Sequence, residues 1–217
     1  ATSRAIAERV GPDGSVLGVD ISAQLIELAR ASGGGPEYLL GDAGADPLPA
    51  PPFDAACSRF GVMFFADPIA AFTHLRGALR PGGRLAFVCW RAMIENAWAA
   101  QPLQVALPFL REVPPPPLPG APGPFAFADG DRVRAILDGA GWSAVAVRPL
   151  DTGYLLGATV EQALAVMLRI GPLGRLIREQ APDPAPIRAA LEELLARHVT
   201  ERGVVMPAAC WIATATA

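Results

Sequence analysis

Over its first 90 residues the chain alternates short apolar runs with amphipathic helical patterns. Residues Thr2–Val10 place Ile6 and Val10 at i, i+4 spacing, which predicts a helix. A turn at Gly11-Pro12-Asp13-Gly14 leads into an apolar run over 15–19 that ends at Asp20. Ser22 is an N-cap candidate for a second helix with Leu25, Ile26, Leu28 and Ala29 on one face. Gly33-Gly34-Gly35-Pro36 stops that helix, and a strand over 37–40 runs into Gly41-Asp42. The next apolar run covers 53–58 and is followed by Arg59-Phe60. Asp67 caps a helix with Pro68 at its first position and Ile69, Phe72, Leu75 and Leu79 as its apolar face. Pro81-Gly82-Gly83 turns into a strand over 84–90. Short continuous apolar strands between amphipathic helices imply a doubly wound α/β fold. Its sheet is parallel, covered on both faces and joined by right-handed crossovers.

The second half is different. Residues 91–128 read as irregular and proline-rich, with a run at 114–117. A helix is predicted over 129–139 and a strand over 143–150. Two amphipathic helices follow, over 160–180 with a break near Gly171-Pro172 and over 185–201, then a last strand over 204–214.

Length and composition set bounds. The 217 residues suit one domain, and 52% hydrophobic against 18% charged residues can build a core. A net charge of -3 supplies no basic field for nucleic acid. No apolar run approaches the roughly 18–20 residues of a membrane-spanning helix. All 18 basic residues are arginine and Asn96 is the one asparagine, a coding bias that discounts isolated Arg, Gly and Pro as signals. Cys57, Cys89 and Cys210 lie in apolar runs with no CxxC spacing, so they read as small buried hydrophobes rather than disulfide or zinc ligands. Charges at Arg4, Glu8, Arg9 and Asp13 are unlike a secretory leader, and the expectation is a cytoplasmic protein with no metal.

In open parallel sheets, ligands bind at the carboxyl ends of strands. Asp20, Asp42 and Arg59 reach that edge from three successive strands. A carboxylate there accepts hydrogen bonds from both hydroxyls of a ribose, and a second one strand away accepts from an adenine amino group. Ile21 and Ala43 lie beside the two carboxylates and could sandwich a flat base. Each aspartate taken alone also reads as a helix cap or loop anchor.

The segments VLGVDIS (16–22), GDAGADPLPAPPFDAACSRF (41–60) and LRPGGRLAFVCW (79–90) together resemble class I S-adenosylmethionine-dependent methyltransferases. The resemblance is strongest to the bacterial small-molecule group that includes quinone-ring methylases. It covers about residues 1–90 and implies a Rossmann-like methyltransferase fold with an antiparallel last strand and a helical insertion over 160–201. It further implies that Asp20 binds the ribose, that Asp42 lies near the adenine, and that Arg59 and Phe60 line the methionine side of S-adenosylmethionine. The family's first strand and GxGxG turn do not precede Asp20 here. The expectation is one domain over 1–217 belonging to a longer parent chain. A strand supplied by a second chain is the alternative.

The expected reaction is in-line methyl transfer to a small hydrophobic acceptor, with S-adenosylhomocysteine as product. Acceptor-pocket candidates are Phe60, Met63, Phe64, Trp90, Asn96 and Trp98, with 91–128 as a lid. The helices over 160–201 add a wall or a homodimer contact. No general base stands out, and His74 and His198 read as structural. Two other readings stay open: a nicotinamide-dependent oxidoreductase, which shares the strand-end acid, and a non-catalytic binding protein on the same fold. The chain has no Tyr-x-x-x-Lys pair, which disfavours the former.

Overall fold

The computed structural model describes residues 2–49, 52–112, 120–169, 172–180 and 183–217. Its elements run α1 (Thr2–Val10), β1 (Leu17–Asp20), α2 (Ala23–Ala31), β2 (Glu37–Leu40), β3 (Phe53–Arg59), α3 (Pro68–Gly77) and β4 (Leu79–Trp90). They continue as α4 (Ala97–Ala106), α5 (Gly130–Gly139), β5 (Ser143–Gly157), α6 (Val160–Arg169), α7 (Pro172–Gln180), α8 (Ala185–Ala196), β6 (Val199–Thr200) and β7 (Gly203–Thr216). The proline run at 114–117 lies outside the described residues. So does Gly171 of the predicted break, on either side of which α6 and α7 are separate helices.

The strands divide between two sheets. β1 and β2 pair in parallel, with Leu17 opposite Glu37 and Asp20 opposite Leu40. The other sheet has the order β3-β4-β7-β5, with β6 on β7. Near the start of β4, Gly82 N donates to Ala217 O at 3.2 Å, whereas Arg91 N, just past its end, donates to Ala209 O at 3.0 Å. Partners on β7 recede as β4 advances, so the last strand is antiparallel. The α/β expectation holds: this is a mixed sheet with helices and an antiparallel final strand.

The chain forms two compact units, each drawn from separate stretches of sequence. In the first, residues 1–87, 131–146 and 213–217, the core gathers on α3, α5 and the start of β4. Phe72 and Phe87 stack at 5.3 Å between ring centroids, and Phe65 meets Phe72 edge-on at 5.7 Å. The Trp142 indole donates to the Phe72 carbonyl at 3.0 Å, so a fully covered tryptophan keeps a partner for its N–H. The N-cap readings hold, because Ser22 Oγ accepts from Leu25 N and Asp67 Oδ1 from Ala70 N. The face predicted for α2 does not hold: Ile26 is buried, but Leu25 and Leu28 are 54% and 65% exposed. α1 buries no residue, and Val10 is exposed.

The second unit comprises residues 88–130 and 147–212. Leu164, Ile187, Leu191, Leu195, Val204 and Met206 are its fully covered centre. Segment 91–128 is not irregular throughout, since α4 runs through it with Pro102 inside and buried. Pro102 forfeits only its own amide bond, and burying its ring offsets that loss. β5 extends to Gly157, beyond the predicted Leu150. Cys89 and Cys210 are buried as expected, but Cys57 is exposed on β3, an outer strand of its sheet.

Candidate functional site

Two carboxylates stand at the ends of the paired strands β1 and β2. Gly41 N donates to Asp20 O at 3.0 Å, which carries the pairing one step past the last register pair. Asp20 is half-buried, and its Oδ1 accepts from Ser22 N at 2.8 Å. That bond folds the chain sharply from β1 into the cap of α2. Among the described residues no protein donor reaches its second oxygen. Asp42 is exposed, and its Oδ1 accepts from Gly44 N at 2.8 Å. Both aspartates therefore use one oxygen to shape their own turns, and among the described residues the other has no protein donor. Ile21 is 73% exposed next to Asp20, an apolar side chain without burial, and Ala43 is half-buried next to Asp42.

The third strand end is strained. Phe60 has φ +65, a left-handed conformation uncommon for a bulky residue and costing about 1 kcal/mol or more. The Arg59 guanidinium carbon lies 6.0 Å from the Phe60 ring centroid. Ser58 Oγ accepts from Gly61 N at 3.3 Å and closes this turn. A 3-10 turn over Val62–Phe64 then buries Met63 and leaves Phe64 53% exposed.

The remaining acceptor candidates sit in the second unit, where the structure groups them. Trp90 and Trp98 pack with ring centroids 4.8 Å apart. Asn96 is fully buried and spends its whole amide on the protein. Its Nδ2 donates to Arg91 O at 3.2 Å and Ala92 O at 3.0 Å. Its Oδ1 accepts from Trp98 Nε1 at 3.0 Å and Ala209 N at 2.9 Å. Two donors and two lone pairs exhaust an amide, so Asn96 orients Trp98 and offers nothing outward.

Sequence reasoning missed three members of this group. Tyr154 lies 5.6 Å from Trp90 and 5.2 Å from Trp98, and Phe125 stacks on Trp98 at 6.2 Å. Arg91 forms ion pairs with Glu95 and with Asp151, the latter at 2.7 Å, and lies over the Trp211 ring at 5.2 Å. Only the i, i+4 spacing of Arg91 and Glu95 was visible locally.

Residues 1–87 match the methyltransferase-domain family. Over that segment the chain is similar to methyltransferase domains. Over 90 residues the chain is 38% identical to the ubiquinone/menaquinone biosynthesis C-methyltransferase UbiE of a Caulobacter species, covering 41% of this chain and 35% of that protein. Over 85 residues it is 39% identical to the nocamycin O-methyltransferase of Saccharothrix syringae, covering 36% of this chain and 30% of that one. The chain thus spans about a third of the length of these relatives. A Bacillus halodurans structure assigned as a methyltransferase superposes with a TM-score of 0.54 at 14% identity, covering 94% of this chain and 83% of that chain. At that identity the likeness speaks for the fold. Asp20, Asp42, Arg59 and Phe60 all fall inside the matched segment. Among the described residues there is no cluster of His, Cys, Asp and Glu fit for a metal ion, and no helix long and apolar enough to cross a membrane.

Proposed function

We propose that the chain is a class I methyltransferase domain that binds S-adenosylmethionine at the ends of β1, β2 and β3 and transfers its methyl group to a small hydrophobic acceptor. The observation that supports this reading is the pair of carboxylates Asp20 and Asp42, each with one oxygen free of protein donors among the described residues, on hydrogen-bonded strand ends within a segment that matches the family. The donor set suits the cofactor: a carboxylate for a diol, a second for an amino group, and exposed Ile21 for a flat ring. When bound, S-adenosylmethionine supplies a methyl group already activated by a sulfonium.

The chain's own work is then alignment and exclusion of water. Asp20 accepts from the ribose hydroxyls, and Asp42 accepts at the adenine edge. Ile21 and Ala43 cover the base faces. Arg59 and the strained Phe60 line the methionine side. Of the acceptor-side candidates, Met63 and Phe64 belong to the first unit, and Trp90 and Trp98 form a separate group in the second, where Asn96 holds Trp98 in place. Within the second unit Tyr154 and Phe125 enlarge that aromatic group, whose apolar character suits a hydrophobic acceptor. The two relatives named above methylate carbon in one case and oxygen in the other, so the acceptor atom follows from neither.

Calorimetry of the full-length protein with S-adenosylhomocysteine and with NADH tests the reading. Binding of the first alone is expected. Binding of NADH alone supports the oxidoreductase, and binding of neither supports a non-catalytic role.

A further inference from the structure

A side-chain hydrogen bond ties the turn that carries Asp42 to α3. His74, in the last turn of α3, places Nε2 at 2.9 Å from the Asp46 carbonyl. A carbonyl only accepts, so Nε2 carries the proton and donates. Within the turn, Asp46 N donates to Asp42 O at 2.8 Å, and Asp42 N returns a bond to Asp46 Oδ2 at 2.8 Å. Gly44 N holds Asp42 Oδ1. Asp42 and Asp46 therefore move as one closed unit, and His74 grips its far end.

A second contact sets the depth of this turn. A Cβ built at Gly44 would fall 2.8 Å from the Ala71 Cβ and 3.0 Å from the Phe65 ring. Ala71 is buried on α3, and Phe65 packs edge-on against fully covered Phe72. The turn thus rests closely on α3 through a glycine and is bonded to the same helix through an imidazole. Neither feature touches the ligand edge directly.

We propose that His74 is a positioning residue for the nucleoside site. By fixing Asp46, it fixes the place of the Asp42 carboxylate, and so sets the affinity for a 6-amino purine. The inference rests on Asp42 accepting at the adenine edge.

Calorimetry on the full-length protein tests it, with S-adenosylhomocysteine and its purine analogue lacking the 6-amino group as probes. Wild type is expected to prefer the amino-bearing ligand. His74→Ala is expected to weaken that ligand about tenfold, the scale of one charge-assisted hydrogen bond. It is expected to leave the analogue unchanged, so the preference disappears. His74→Gln, whose amide can donate to the same carbonyl, is expected to restore the preference. The ring borders a cavity of about 390 Å³ beside Pro47, Leu48 and Thr73, which leaves room for that side chain. His74→Asn, too short to reach Asp46, repeats the comparison if the alanine variant does not fold.

Equal loss for both ligands means a merely structural histidine and overturns the proposal, as does no loss or a wild type without preference. A wild type that binds neither ligand overturns the methyl-transfer reading itself.

Discussion

The Gly41 amide donates to the Asp20 carbonyl across 3.0 Å, so the turn carrying Asp42 starts from a backbone fixed by the strand that presents Asp20. The two carboxylates are therefore coupled through the backbone, although each is anchored by its own turn. Asp20→Ala removes both the second carboxylate oxygen and the Oδ1 that holds Ser22 N, and is expected to abolish binding of S-adenosylhomocysteine. Asp20→Asn separates the two roles. Its amide oxygen can still accept from Ser22 N, but the charged acceptor is gone. Hydrogen bonds to charged groups contribute about 1.5–3 kcal/mol each, so a loss of roughly ten- to hundredfold is expected for Asn. Calorimetry reads both, and unchanged affinity in the asparagine variant removes Asp20 from the site.

Asn96 gives a prediction about stability. Asn96→Ala leaves the Trp98 indole N–H, the Ala209 amide and two carbonyls without their partner inside a covered region. Each buried group left unpaired costs about 1–3 kcal/mol, so a loss on the order of 3 kcal/mol or more is expected in urea unfolding. Asn96→Asp keeps the acceptor for Trp98 but sets a carboxylate against the Arg91 and Ala92 carbonyls. It is expected to be no better than alanine. A loss below about 1 kcal/mol for both variants contradicts the four-bond arrangement.

These two sites differ in how far the sequence announced them. The Asp20 end of β1 was legible because a short apolar strand, a polar strand end and a capping serine follow one another within six residues. The Asn96 group was not, because its partners come from far along the chain: Ala209, Tyr154 and Phe125 meet only through tertiary packing. Helix α4 was hidden by Pro102, which local propensity reads as a breaker and which burial accommodates. The strand β5 runs past the predicted end at Leu150 through Asp151-Thr152-Gly153, because its pairing in the sheet carries it to Gly157. The exposure of Leu25 and Leu28 was equally invisible, since periodicity shows that a face is apolar and not what covers it.

The cysteines divide by exposure. Cys57 lies exposed on β3, whereas Cys89 and Cys210 are buried. A thiol reagent must reach the sulfur, and buried thiols are inert. Under native conditions iodoacetamide is expected to modify Cys57 alone, as read by peptide mass spectrometry, and all three after unfolding. Modification of Cys210 at a rate like that of Cys57 contradicts the packing of β7.

Cys89 also predicts an alkaline limit. Burial pushes its thiol from 9.0 up to about 12, helped by the neighbouring Cys210 and partly offset by the Trp211 backbone amide. In the unfolded chain the same thiol ionises near its ordinary value. Between those two pH values the unfolded state has lost a proton that the folded state keeps, so stability falls as pH rises. The contribution is intact below about pH 9. Above it the decline is on the order of 1 kcal/mol per pH unit and ends as the folded thiol itself ionises. Urea midpoints measured from neutral pH to about pH 10.5 are expected to show this slope in the wild type and a shallower one in Cys89→Ala. Cys57 and Cys210 are present in both proteins, so the difference in slope belongs to Cys89, and parallel curves contradict its burial.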